Sequence, residues 1–299
     1  MDEPTHPRKP PGSSPGHRAP EQAEGEEEKA REPEYVFRVL GPLKSPLRNQ
    51  GTPKLRALLG TLLLNANRTV SVGSLVETLW AGSPPPSAAA NIQTYVSGIR
   101  KSLDLHTENG SRRLLTRTPG YVLRVRPGEL DLPHFTELSA MGRAALARNE
   151  ATRAAALFER AAKLWRGRPL EDIERLSTSF EAQVNALEEQ HLSVLNDWTA
   201  ARLELGQNDE LILELRMMVH DWPLSERTWY HLMLALCRSG RVSAALAAYR
   251  QARETIVGET GIEPSETLRA LHEAILTGST PRLTEMGKVI AFHHSSVAG

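Results

Sequence analysis

The spacing of apolar positions changes character along the chain. From Tyr35, YVFRVLGPL alternates apolar and other residues and predicts a strand running into a turn at Gly41-Pro42. Leu55, Leu58, Leu59, Leu62 and Leu63 then recur at helical spacing. Thr52 can cap this helix, and Pro53 takes its first position, where a missing N–H costs nothing. Ser71 caps a second helix with Leu75, Val76, Leu79 and Trp80 on its apolar side, stopped by Gly82 and Pro84-Pro85-Pro86. A third helix starts near Ser87. At about 100° per residue, Ile92, Val96, Ile99 and Leu103 share its buried face. Ser87, Ala90, Thr94, Ser97, Gly98 and Lys101 lie opposite, with Gln93 and Arg100 on one flank and Asn91 on the other. After a polar loop, RRLLTR and YVLRVR read as two strands joined through Thr118-Pro119-Gly120-Tyr121, where Pro followed by Gly predicts a type II turn.

From about His134 the period is helical throughout, and it repeats. Around Gly240, the residues Trp229, Leu232, Leu236, Val242, Ala245, Tyr249 and Ala252 occupy tetratricopeptide positions. Gly206 lies 34 residues earlier, and Pro223 stands where that repeat should end. A weaker copy places Gly142, Asn149, Ala154, Phe158 and Ala161. Three helical hairpins of one period predict a small solenoid-like bundle. The fold class is therefore mainly α with a small β component: a winged helix-turn-helix domain over 35–133, then an all-α tetratricopeptide-like domain over 134–278. Residues 1–34 hold seven prolines and almost nothing apolar, which predicts a disordered tail. Residues 279–299 show no periodicity and read as a flexible tail.

The formal net charge of +0 hides an asymmetry. Residues 35–133 carry 13 Lys/Arg against 5 Asp/Glu, a balance of +8, whereas residues 134–278 carry 16 against 21, a balance of −5. Excess positive charge confined to this segment is the electrostatic footprint of a nucleic-acid binder, and the helix-turn-helix with its wing, built to place one helix in a groove, makes double-stranded DNA the expected partner. The third helix supplies Asn91, Gln93, Thr94, Ser97, Arg100 and Lys101 as candidates for groove contact. The hairpin and the opening helix supply Lys54, Arg56, Arg112, Arg113, Arg117, Thr118, Gly120 and Tyr121 for the wing and phosphate backbone. Arg112, Arg113, Arg117 and Arg124 alternate with apolar residues as in a half-exposed sheet; Arg117 and the turn are the wing-tip candidates, while Arg124 reads as structural. Cations at the end of a helix also suit its dipole, so for Arg100 and Lys101 it is the hairpin that follows which favours phosphate contact.

Other chemistries find no support. Cys237 is the only cysteine, so neither an intrachain disulfide nor a cysteine zinc site can form. No apolar run approaches the roughly 18 residues of a membrane span, and the N-terminus has no apolar signal core, which together predict a cytoplasmic protein. There is no P-loop, HExxH, GxSxG or dinucleotide fingerprint, so no catalytic residue, cofactor or metal is predicted. Glu188, Glu189 and His191 face different directions on one helix, and His293-His294 falls in the tail. Trp80, Trp165, Trp222 and Trp229 read as packing residues, and Cys237 as a buried inert thiol.

The phrases FRVLGPL, PKLRALLGTLLLNANRTVS, LVETLW, NIQTYVSGIRKSL, LLTRTPGYVLRV, LDLPHF, ALCRSGRVSAALAAYRQAR and GIEPSETLRALHEAIL occur in order from Tyr35 to about Gly278. In these the chain resembles the Streptomyces antibiotic regulatory protein family, which joins an OmpR-type winged helix to a bacterial transcriptional activator domain, here in its short form. The resemblance implies an activator of a secondary-metabolite gene cluster that binds promoter direct repeats as a side-by-side pair or homodimer. It makes the third helix the recognition helix, and the loop with Ala81, Gly82, Ser83, Pro84 and Pro85 the contact with RNA polymerase, through its sigma and alpha subunits. OmpR-type relatives often carry an arginine on the recognition face. Here Ser97 and Gly98 hold that turn, which shifts the expectation towards thymine methyls and base edges met by Thr94, Gln93 or Ser97. The alternative is a tetratricopeptide-type interaction adaptor whose winged helix docks protein.

Overall fold

The two predicted caps form as read. The Thr52 hydroxyl accepts from the Leu55 N–H at the start of α1 (Pro53–Leu64), and Ser71 does the same for Ser74 at the start of α2 (Val72–Trp80). Between them lies the two-residue strand β1 (Val70–Ser71). A computed structural model describes residues 35–47, 52–106, 112–174 and 177–278 of the chain. The expectations for 1–34 and 279–299, and for part of the loop after the third helix, lie outside those residues. The remaining elements are α3 (Ala88–His106), β2 (Leu114–Arg117), β3 (Gly120–Leu123), α4 (Asp131–Ala147), α5 (Ala151–Ala162), α6 (Thr178–Glu204), α7 (Asn208–Asp221), α8 (Glu226–Arg238), α9 (Val242–Thr260) and α10 (Glu266–Leu276).

The sheet is antiparallel in the order β1-β3-β2, with Leu114 opposite Leu123 and Arg117 opposite Gly120. Two details differ from the sequence expectation. Residues 35–44 form only isolated bridges, Phe37 with Leu130 and Arg38 with Lys44, instead of a strand. The hairpin loop is Thr118-Pro119 with a cis peptide bond between them, so Pro119 takes the third position of a type VI turn. Gly120 belongs to β3, where a Cβ would fall 1.8 Å from the Val70 carbonyl oxygen. Strand pairing, not turn conformation, requires this glycine.

Helices α1, α2 and α3 bury Leu58, Leu59, Leu62, Leu63, Leu75, Leu79, Ile92, Val96, Ile99 and Leu103 in one core with Phe37, Tyr121 and Leu123. Leu170, Ile173, Phe180 and Val184, from beyond α5, fill part of the same core. The linker from α5 to α6 is thus built into the winged helix. The Arg166 N–H donates to the Leu40 carbonyl at 2.9 Å, and the Leu170 N–H to the Gly41 carbonyl at 2.8 Å. The buried Asp131 carboxylate accepts from the N–H groups of Val39 at 2.9 Å and Leu40 at 3.1 Å. Desolvation pushes the Asp131 carboxyl above its ordinary range, against the pull of those two donors and of Arg166.

In the helical part, α5 packs between α4 and α6, α8 packs between α7 and α9, and α10 closes the stack against α8 and α9. Asn149, Gly206 and Gly240 mark the three hairpin turns with φ of 57°, 77° and 74°, so the residues picked out by the repeat are those the left-handed turn needs. Gly142 plays a different part. Its missing Cβ admits the Phe158 ring, which a side chain would meet at 2.5 Å. Trp229, Ala245, Tyr249 and Ala252 are buried as expected, whereas Val242 at the start of α9 is 42 % exposed.

Candidate nucleic-acid interface

Helix α3 keeps its apolar face inward and leaves Ala89, Ala90, Gln93, Thr94, Ser97 and Lys101 exposed. Two of these hydroxyls are engaged within the helix. Thr94 Oγ1 donates to the Ala90 carbonyl at 3.1 Å and Ser97 Oγ to the Gln93 carbonyl at 2.9 Å. Asn91 is half-buried and donates to Ser87 Oγ at 3.2 Å. Gly98 faces α1, where a Cβ would meet Leu55 at 3.0 Å, so it serves helix packing.

Several cations predicted to meet DNA are occupied by the protein instead. Arg100 Nε donates to the Leu114 carbonyl at 2.8 Å and Nη2 to Thr116 Oγ1 at 2.9 Å, tying α3 to β2. Arg113 is 8 % exposed and forms a two-pronged ion pair with Glu129 at 2.9 Å on each prong. Lys54 donates to the Leu79 carbonyl and lies over the Trp80 ring, pinning α1 to the end of α2. Arg56 pairs with Asp172 of the α5–α6 linker. Tyr121 is 7 % exposed and belongs to the core, and Gly120 is buried under β1. Each of these partners is distant in sequence or set by strand register, which composition alone does not reveal.

The exposed cations of residues 35–133 that form no ion pair among the described residues are Lys101, Arg112 and Arg117, together with Lys44, Arg68, Arg124 and Arg126. Arg124 therefore departs from its structural reading. The signal was available: Leu123 and Val125 are both apolar, and a residue between two inward side chains of an extended segment must face outward. Thr118 and Pro119 are exposed at the hairpin tip. In the loop between α2 and α3, Ala81 at φ 47° and Gly82 at φ 85° turn the chain, and Ser83 and Pro84 are exposed.

Among the described residues no three His, Cys, Asp or Glu side chains converge to hold a metal, and no helix is long and apolar enough to cross a membrane. His191 stacks on Trp165 with centroids 3.9 Å apart, and Trp222 meets its edge at 6.1 Å. Burial holds the imidazole pKa down to about 4. Cys237 is half-buried, and burial raises its thiol pKa, which keeps it protonated.

A winged helix with an outward polar recognition face, fused to a helical-repeat bundle, defines a DNA-binding transcriptional regulator. The family model "Transcriptional regulatory protein, C terminal" matches residues 48–123, and "Bacterial transcriptional activator domain" matches residues 130–276. Regulatory protein DnrI of Streptomyces peucetius is 36% identical over 249 residues, covering 80% of this chain and 90% of that protein. Regulatory protein AfsR of Streptomyces griseus is 35% identical over 244 residues, covering 80% of this chain but 24% of the longer relative. The solved structure of Mycobacterium tuberculosis EmbR in complex with a low affinity phosphopeptide superposes with a TM-score of 0.77 at 33% identity, covering 84% of this chain and 68% of that one. The chain belongs to the Streptomyces antibiotic regulatory protein family of transcriptional activators.

Proposed function

We propose that the chain activates transcription of a secondary-metabolite gene cluster by placing α3 in the major groove of promoter DNA, with the Thr118-Pro119 tip beside it. The observation that carries this reading is the sorting of cations. Arg100, Arg113, Lys54 and Arg56 hold the fold together, while Lys101, Arg112 and Arg117 are left outward on the recognition helix and the hairpin. These three serve phosphates, because no carboxylate among the described residues forms an ion pair with them. The loop Ala81–Pro85, exposed from Ala81 to Pro84, carries no cation and so gains little from DNA; it is the surface offered to RNA polymerase. A single winged helix reads too few base pairs to select one promoter in a genome. Two copies on direct repeats about one helical turn apart supply the remainder.

The test is a gel shift of the whole chain on the DNA upstream of neighbouring genes, over a range of salt. The isolated segment 35–133 is the wrong reagent, because it lacks the Leu170, Ile173, Phe180 and Val184 side chains that complete its core. Binding should fall steeply with salt, and Lys101→Ala should reduce the slope of log K against log salt by about one. A shift unaffected by salt overturns the phosphate contacts.

A further inference from the structure

The base-facing chemistry of α3 is unusually restricted, because its hydroxyl protons are already committed. Each hydroxyl has one hydrogen to donate, and those of Thr94 and Ser97 go to the Ala90 and Gln93 carbonyls. What these side chains present outward is oxygen lone pairs and, for Thr94, a methyl group. The back-bond also selects between the two rotamers a helical threonine can adopt, so the methyl is held in one place. Guanine offers only the acceptors O6 and N7 to the major groove, and acceptor facing acceptor is repulsive. A guanidinium could still read guanine, but the one arginine of α3, Arg100, is tied to Leu114 and Thr116 of the hairpin. Lys101 lies two turns beyond Thr94, away from the N-terminal half of the helix that meets base edges. The exposed Gln93 is the free two-sided group here, since its side-chain amide makes no hydrogen bond among the described residues. Exposed Ala89 and Ala90 give the helix axis room for close approach.

Resting on the DNA-binding reading above, we propose that this face selects an A·T base pair. Thr94 packs its methyl on the 5-methyl of thymine, and Gln93 bridges N6 and N7 of adenine. This pairing uses the Thr94 methyl and the Gln93 amide and requires no donor that the helix lacks. Cytosine N4 could satisfy a hydroxyl lone pair, but cytosine has no methyl for Thr94, and its guanine partner has no amine at position 6 for Gln93.

The experiment starts from a duplex enriched by the full chain from a randomised pool. Each thymine is then replaced in turn by deoxyuridine, which removes only the methyl, and each adenine by 7-deazaadenine, which removes only N7. At one position deoxyuridine should weaken binding about fourfold, the worth of one buried methyl. Thr94→Ser keeps the hydroxyl and its bond to Ala90, so it should bind the unmodified duplex about as weakly and lose the deoxyuridine effect. Gln93→Ala should likewise erase a 7-deazaadenine penalty at the same or the adjacent pair. The readout is overturned if no deoxyuridine weakens binding, if Thr94→Ser keeps full sensitivity, or if 7-deazaguanine alone produces a penalty lost in these two variants. Failure of the pool to enrich any duplex strikes instead at the DNA-binding reading itself, so the two ideas fail separately.

Discussion

Replacing Arg100 by methionine separates a structural arginine from one that binds phosphate. Methionine keeps an apolar stem of similar length against α3 and removes both donors. The bond to the Leu114 carbonyl is partly buried at 2.8 Å, and a charge-assisted bond in such a place contributes about 1.5 kcal/mol. The outer bond to Thr116, at 2.9 Å and exposed to water, adds about 0.5 kcal/mol after screening. The expected loss is therefore about 2 kcal/mol. For a cooperative unit of this size that lowers Tm by about 4–8 °C, measurable by circular dichroism. DNA affinity should also fall, since the hairpin is no longer anchored to the recognition helix. The salt dependence of binding should stay as in the parent protein, because no phosphate contact is lost. A phosphate ligand would behave in the opposite way, with Tm unchanged and the slope reduced by about 0.9. That second pattern would refute the assignment of Arg100 to the hairpin. Lys101→Ala, which breaks no bond of the fold, is the matched control.

Two further predictions concern the wing and the helical core. Gly120→Ala should separate β1 from β3, since the added carbon would lie 1.8 Å from the Val70 carbonyl oxygen; specific DNA binding should disappear while far-ultraviolet helicity stays near the parent value, and full binding by this variant would contradict the sheet register. Stability should fall as pH drops from about 6.5 towards 4: His191 is neutral in the fold with a pKa of about 4, the unfolded chain takes up the proton near its ordinary pKa, and the difference is about 3 kcal/mol. The fully buried His231, also held well below its usual range, acts in the same direction, while Asp131 with its raised pKa opposes them at the acid end. Urea denaturation at pH 7.5 and 5 measures the effect, and His191→Phe, which retains an aromatic stack on Trp165, should flatten it; equal stability of the parent at both pH values would contradict the neutral buried imidazole.

What the sequence determined by itself is what neighbours three, four or seven residues apart decide. Thr52 and Ser71 cap helices because the bond runs to a residue three positions on. Ile92, Val96, Ile99 and Leu103 are buried because one period aligns them. Asn149, Gly206 and Gly240 turn the hairpins because their backbones tolerate positive φ. These features were enough to place α3 with an outward polar face, in a segment of excess positive charge. Tertiary structure decided which cations are free. Arg56 and Asp172 are separated by 116 residues, and Arg113, just ahead of β2, meets Glu129, beyond β3, only because the hairpin closes between them. An arginine on a strand has the same local pattern whether it faces a phosphate or a carboxylate. Only the packed fold, by bringing Glu129 within reach of one and no described carboxylate to the other, assigns Arg113 to the interior and leaves Arg117 to solvent.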